Sequence, residues 1–151
     1  MSENQHTEWK EVWRDDYLRW VCAFANAEGG TLVIGRNDQG EVVGLKNAAK
    51  LLEDLPNKVR DVLGVVVDVN LRTEAGRNYL EIVVPAYANP ISHKGEYCYR
   101  SGSTTQTLKG AALDRFRAGQ ELVRQGGASA SDYIEASIID TRAREVQAVL
   151  K

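Results

Sequence analysis

The sequence predicts an α+β fold, in which a twisted, mainly antiparallel sheet of hairpins packs against helices and a helical extension follows at the C-terminus. Two observations favour this class. Short β-branched runs occur in pairs with turn residues between them, and the helical segments do not alternate strictly with the strands. With 151 residues, of which 43% are apolar, the chain is long enough for one domain with a hydrophobic core.

The clearest local pattern is a helix that ends at a glycine pair and is followed at once by a buried strand. Apolar residues recur at helical spacing from Leu18 to Ala25. Gly29 and Gly30 can adopt the left-handed conformation that ends a helix. Thr31–Ile34 is then predicted to be a strand, and the turn residues 35–40 are predicted to lead to Val42 and Val43 as the second arm of a hairpin.

The flanking segments predict the remaining elements. Thr7–Val12 is predicted to be a strand with Trp9 in the core, and Asp15 or Asp16 is predicted to cap the helix that follows. Asn47 is predicted to cap a second helix, which Pro56 either interrupts or restarts. Four further elements are predicted: strands at 65–71 and 79–84 joined by a hairpin loop at 74–78, a strand at 96–100 and a helix at 108–123.

Composition limits the classes of function. The net charge of −2 argues against a uniformly basic nucleic-acid binder, although a local basic patch is compatible with it. The two cysteines form no disulfide framework or metal-binding spacing, and no apolar run approaches the roughly 20 residues that span a bilayer. The N-terminus lacks a signal-peptide pattern. We therefore expect a cytoplasmic protein without membrane association.

Three segments, in order, carry a resemblance to a known family. The string AFANAEGGTLVIGRNDQGEVVGL, which spans the helix, glycine pair and strand, resembles the signature of the Schlafen AlbA-type domain. Glu3–Lys10 resembles the opening motif of that family, and Tyr97–Thr104 resembles its Tyr-x-x-Arg-x-Gly-Ser strand end. The resemblance implies a DNA-binding domain of bacterial transcriptional regulators. It covers residue 3 to about residue 108.

This resemblance and the composition together predict the domain organisation. Residues 1–124 are expected to form the Schlafen AlbA-type domain, and the Gly-, Ser- and Ala-rich segment 125–131 is expected to be a linker. Residues 132–151 are predicted to be an amphipathic C-terminal helix or the start of a truncated second region. Such a helix can pack back, swap onto another copy in a homodimer, or lead into a further C-terminal domain.

The leading functional interpretation is a nucleic-acid-binding module, with DNA favoured over RNA. A small-residue turn after a strand can direct backbone N–H groups and hydroxyls at a phosphate, with nearby cations supplying charge. The alternative is an ordinary turn whose hydroxyls bond their own backbone. The predicted phosphate-binding residues are Lys10, Lys94, Arg100, Ser101, Gly102, Ser103 and Thr104.

A second interpretation is a metal-dependent endoribonuclease. In animal Schlafen proteins, acidic residues at the matching motifs serve an RNA-cleaving site, and the resemblance transfers this role to Glu3, Glu8 and Asp38, which would bind Mg²⁺ or Mn²⁺. The alternative is that these are solvated carboxylates paired with Lys10 and Arg14. Outside the nuclease interpretation no cofactor is predicted, since Arg36 and Asn37 replace the Lys and Ser or Thr of a phosphate loop.

A third interpretation is an oligomerisation or ligand-sensing module of a larger regulator. It would use the predicted helix from Tyr133 to Leu150 as its contact.

Overall fold

A computed structural model describes residues 3–124 and confirms the α+β class. The predicted linker at 125–131 and C-terminal helix at 132–151, with the oligomerisation role given to that helix, lie outside the described residues. The strands are β1 (Thr7–Lys10), β2 (Gly30–Ile34), β3 (Asp68–Glu74), β4 (Arg77–Val84), β5 (Cys98–Ser101) and β6 (Thr104–Thr107). The helices are α1 (Leu18–Asn26), α2 (Ala48–Leu63) and α3 (Gly110–Arg124), with a 3₁₀ turn at Asp15–Tyr17.

Four strands form the main sheet, in the order β1-β2-β4-β3. β1 runs parallel to β2, whereas β4 pairs antiparallel with both β2 and β3, and β5 and β6 form a separate antiparallel pair. The predicted β3–β4 hairpin is confirmed, with a tighter loop than expected. Ala75 and Gly76 make the turn with φ angles of 52° and 76°, the left-handed values that a two-residue hairpin turn requires.

The corner between α1 and β2 is confirmed. Gly29 has φ of 81°, and a Cβ atom at this position would lie 2.6 Å from the backbone oxygen of Val84. Only glycine therefore fits where the chain turns from α1 into the sheet beside β4. After this corner the chain forms β2, which is a central strand of the sheet and contacts α1.

The predicted hairpin between β2 and Val42–Val43 is wrong. No strand forms at Val42–Val43. The two segments are joined just beyond the end of β2 by one bridge, between Arg36 and Val42, and by turn hydrogen bonds such as that from Val43 N to Gly35 O at 2.8 Å. Both edges of β2 are already occupied by β1 and β4, so a third strand cannot pair there. The polar strand β6 was absent from the predictions because its residues, Thr-Thr-Gln-Thr, carry no apolar alternation.

The helix-start predictions are also corrected. Neither Asp15 nor Asp16 caps α1, since Asp15 instead accepts hydrogen bonds from the Trp13 indole and the Lys58 ammonium. Asn47 occupies the N-cap position of α2 but makes no side-chain cap hydrogen bond. Pro56 lies inside α2, which continues through it to Leu63 rather than dividing into two helices.

The core lies between one face of the main sheet and helices α1 and α2. Leu51, Leu55, Val59 and Leu63 recur along one face of α2 and are buried against the sheet. A smaller cluster of Ala27, Tyr99 and Phe116 joins α3 to the β5–β6 hairpin. No helix within residues 3–124 is long and apolar enough to cross a membrane.

Candidate functional site

A charged group lies between β1 and the β5–β6 hairpin. Alternation along β1 places Glu8 and Lys10 on the same side of the sheet as α1, while Trp9 lies on the other side. The Glu8 carboxylate accepts a hydrogen bond from Arg100 Nη2 at 2.7 Å and pairs with Lys10 Nζ at 3.3 Å. The Arg100 side chain is 0% exposed, that of Glu8 8% and that of Lys10 22%. Of the two cations, Lys10 is therefore the one that solvent reaches.

Three aromatic residues of α1 and the turn before it support these charges. Tyr17, Trp20 and Phe24 have the spacing that places side chains along one helical face. Lys10 Nζ lies 5.0 Å from the Tyr17 ring centroid and 4.5 Å from that of Trp20, and the Arg100 guanidinium carbon lies 5.1 Å from that of Phe24. Each cation is attracted to the electron-rich face of a ring.

We call Glu8, Lys10, Arg100 and these three aromatic residues the Glu8 cluster. It holds two cations and one carboxylate, so its formal charge is positive in a chain of net charge −2.

Arg100 also fixes the hairpin to the edge of the main sheet. Its Nη2 donates to the backbone oxygens of Asn4 at 2.8 Å and Thr7 at 3.3 Å, and its Nη1 donates to Thr105 Oγ1 at 3.4 Å. Its Nε has no partner among the described residues. The guanidinium thus joins β1, β5 and β6 and is fully enclosed between them.

Asn26, at the end of α1, fixes the other side of the hairpin. Its amide nitrogen donates to the backbone oxygens of Ile91 at 2.7 Å and Cys98 at 2.8 Å, and its amide oxygen accepts from Ile91 N at 2.8 Å. The residue is completely buried. A buried amide with satisfied donors and acceptor holds the loop before β5 in one position relative to α1.

The predicted phosphate-binding turn connects β5 to β6. Ser101, Gly102, Ser103 and Thr104 are exposed, and Thr104 Oγ1 donates to Ser101 O at 2.8 Å. This hydroxyl therefore takes the ordinary turn role that was the alternative prediction, whereas hydrogen bonds from the Ser101 and Ser103 hydroxyls to other described residues are not present.

The exposed Lys94 lies in the loop before β5. Together with Lys109 and Arg115, it makes no ion pair with another described residue.

The structure does not bring the three predicted metal-binding carboxylates into one metal-binding group. Glu3 accepts a hydrogen bond from Trp9 N at 3.0 Å, Glu8 is committed to Arg100 and Lys10, and Asp38 is exposed in the turn after β2. Within residues 3–124, no group of three His, Cys, Asp or Glu side chains is arranged to hold a metal ion. The donor set expected for Mg²⁺ or Mn²⁺ is thus not assembled.

These features coincide with a family match. The model of the family described as Schlafen, AlbA_2 matches residues 3–109, well over half of the chain. The chain belongs to this Schlafen AlbA_2 family. The matched segment contains the complete Glu8 cluster, Asn26 and the turn between β5 and β6. A comparison with curated proteins found no match.

Two solved structures are similar to this Schlafen AlbA_2 domain. The N-terminal domain of a RecG-related protein of Nitrosomonas europaea, itself related to ATP-dependent DNA helicases, is 28% identical with a TM-score of 0.52. That match covers 74% of this chain and 89% of the domain. The DIP2311 protein of Corynebacterium diphtheriae shares the fold, at 23% identity and a TM-score of 0.58. Here the match covers 69% of this chain but only 22% of the longer protein.

The sequence predictions missed two parts of this site. The aromatic spacing of Tyr17, Trp20 and Phe24 was a detectable signal, because three rings on one helical face opposite a charged strand indicate cation-aromatic contacts. The role of Asn26 had no comparable signal, since its partners lie 65 and 72 residues away in the chain.

Proposed function

We propose that this domain binds nucleic acid and contacts phosphates through Lys10, Lys94 and the turn from Ser101 to Thr104. The observation that carries the proposal is the positive Glu8 cluster, in which Lys10 is held at the surface by Glu8 and by the rings of Tyr17 and Trp20. A cation that is already ordered loses little side-chain entropy when it binds a phosphate. The exposed Ser101 and Ser103 hydroxyls and the N–H groups of the turn supply further donors.

Arg100 has an indirect role in this proposal. Its guanidinium is enclosed and its Nη groups bond Glu8, two backbone oxygens and Thr105, so a phosphate would have to displace a buried ion pair to reach it. We therefore assign Arg100 to positioning the β5–β6 hairpin against β1, and not to the direct phosphate contact that the sequence predicts. Glu8 likewise positions Lys10.

Family and relatives support nucleic acid as the partner and DNA as the first candidate. The RecG-related protein is described as a relative of DNA helicases, and the matched domain is its N-terminal part. We further propose that this domain serves a transcriptional regulator, because the Schlafen AlbA-type resemblance implies that role. A place in a larger chain is compatible with the DIP2311 protein, in which the shared fold accounts for only 22% of the length.

The binding experiment uses fluorescence anisotropy with labelled duplex DNA, single-stranded DNA and transfer RNA at several salt concentrations. Each phosphate contact contributes about 0.9 to the slope of log affinity against log salt for duplex DNA. We expect Lys10→Gln to weaken binding and to reduce that slope by about 1. Lys50→Gln is the matched control, because Lys50 is an exposed lysine of α2 whose ion pair among residues 3–124 is with Asp54. Unchanged affinity and slope in Lys10→Gln would contradict the assignment.

The same samples test the nuclease interpretation when Mg²⁺ or Mn²⁺ is added and strands are examined on a denaturing gel. Because the described residues form no metal-binding group of carboxylates, we expect intact strands. Metal-dependent cleavage that is lost in Asp38→Asn, a substitution at an exposed turn position, would instead make the domain a nuclease.

A further inference from the structure

A cavity of about 460 Å³ lies between the β5–β6 hairpin and the first two turns of α3. Its volume falls within the range of about 300–1,000 Å³ typical of small-ligand sites. Tyr99, Leu108 and Ala112 contribute apolar surface, and Ser101, Gln106 and Arg115 contribute polar groups. None of the predicted phosphate-binding cations lines it, so it is distinct from the Glu8 cluster.

The apolar part of the cavity suits one planar group. Tyr99 is buried and packs against Phe116 with the ring centroids 6.1 Å apart, so its position is fixed by the small hydrophobic cluster beneath α3. The Gln106 amide donates to Thr104 Oγ1 at 3.0 Å, which holds its polar end at the cavity rim. A nucleobase combines a flat apolar surface with a polar edge, and these walls match that combination.

Charge indicates that the occupant is an anion. Among the described residues that line the cavity, Arg115 is the only charged one, and it makes no ion pair with another described residue. Its guanidinium is therefore available to donate two parallel hydrogen bonds to a phosphate. The wall formed by Ala111 and Ala112 belongs to the first turn of α3, where the helix dipole also favours negative charge.

Ser101 connects this cavity to the proposed phosphate-binding turn, because it belongs to both. We infer that the cavity receives one unpaired nucleotide of a single-stranded nucleic acid, with the base over the apolar wall and a phosphate on Arg115. Bases in a duplex are stacked and paired and cannot enter such a cavity, whereas those of a single strand can. The inference rests on the proposed nucleic-acid binding and adds a preference for single strands.

The test compares a fluorescein-labelled single-stranded oligothymidylate with a labelled duplex, using the full chain. Ala112→Leu fills the cavity mouth from an exposed helical position, and Arg115→Gln removes its charge. We expect Ala112→Leu to weaken single-strand binding about 5-fold or more, because it displaces one stacked base. We expect a similar loss for Arg115→Gln, because it removes the charge-assisted hydrogen bonds to the phosphate. We expect Ala112→Leu to leave duplex binding unchanged.

Matched controls lie on α2, away from the cavity. Ala49→Leu introduces the same side chain at an exposed position in the first turn of α2, and Arg60→Gln removes an exposed arginine. Both should bind single strands like the parent chain. Equal single-strand affinity in the parent chain, Ala112→Leu and Arg115→Gln would overturn the cavity inference but leave the proposed function intact. If the parent chain binds neither the single strand nor the duplex, the cavity inference and the proposed function are both overturned.

Discussion

The guanidinium of Arg100 and the carboxylate of Glu8 meet at 2.7 Å across 92 residues of sequence, and both side chains are almost completely enclosed. This contact joins the β5–β6 hairpin to the edge strand β1. Glu8 has two roles, because its carboxylate neutralises the buried arginine and also pairs with the more exposed Lys10. The geometry of the proposed phosphate-binding surface therefore depends on a pair that does not itself reach the solvent.

Breaking the pair should destabilise the fold strongly. We expect Glu8→Gln and Arg100→Met each to lower the free energy of unfolding by about 3–5 kcal/mol, because each leaves a buried group without its partner. The double variant should lose less than the sum of the two single losses. Urea denaturation measures all three, with Glu11→Gln, at an exposed position of the same segment, as the control. Additive losses would show that the two side chains are not coupled.

Asn26 should be as important for stability as a large core residue. Asn26→Asp keeps the side-chain shape but cannot donate to the Ile91 and Cys98 carbonyls, and it places a charge in a buried site. We expect a loss of at least about 2 kcal/mol in the free energy of unfolding. Asn57→Ala, at an exposed position of α2, should change it by only about 0.5 kcal/mol. Similar small effects for both variants would refute the role assigned to Asn26.

Alanine substitutions at two glycines with similar φ angles distinguish the cost of a steric clash from the cost of backbone strain. Gly29 has φ of 81° and Gly64 has φ of 72°, but only at Gly29 would a Cβ atom meet backbone, at 2.6 Å from the Val84 oxygen. Gly64→Ala should cost about 1–2 kcal/mol through strain alone. Gly29→Ala should cost clearly more, and thermal denaturation of the two variants measures the difference. Equal losses of stability in the two variants would mean that the backbone around Gly29 shifts to accommodate the added methyl group.

Burial should make Cys22 unreactive in the folded protein. Desolvation raises the pKa of its thiol from the usual 9.0 to about 12, which lowers the thiolate fraction near pH 8 about a thousandfold. Cys98 is also free and buried. We expect a disulfide reagent such as Ellman's to titrate neither thiol rapidly in the native protein and to titrate two in guanidinium chloride. One rapidly reacting thiol in the native state would contradict this packing.

Local patterns predicted the elements whose partners are near in sequence. The α1–Gly29–β2 corner and the β3–β4 hairpin follow from helical periodicity, glycine conformation and turn residues, all of which act over a few residues. The parallel pairing of β1 with β2 could not be predicted from turn residues. Parallel strands are joined by a long crossover connection, which here contains α1, and not by a short turn.

The sequence indicated which residues belong to the candidate site but not how their side chains are arranged. An arginine at the end of a short strand is expected at the surface, since arginine is rarely buried without a partner. Its burial follows from Glu8, Asn4 and Thr7, which only the tertiary fold brings to it. The motif from Tyr97 to Thr104 thus predicted a segment that forms part of the candidate site, whereas the direction in which Arg100 points came from the structure.

In the proposed function, nucleic acid binds where the Glu8 cluster and the β5–β6 hairpin meet. The most direct test is an NMR titration of ¹⁵N-labelled protein with a single-stranded oligonucleotide, which follows every backbone amide. We predict shift changes at Lys10, in the turn from Ser101 to Thr104 and in the first turns of α3, with α2 and β3 unaffected. Changes confined to α2 and β3, or no changes at concentrations where anisotropy reports binding, would contradict the claim.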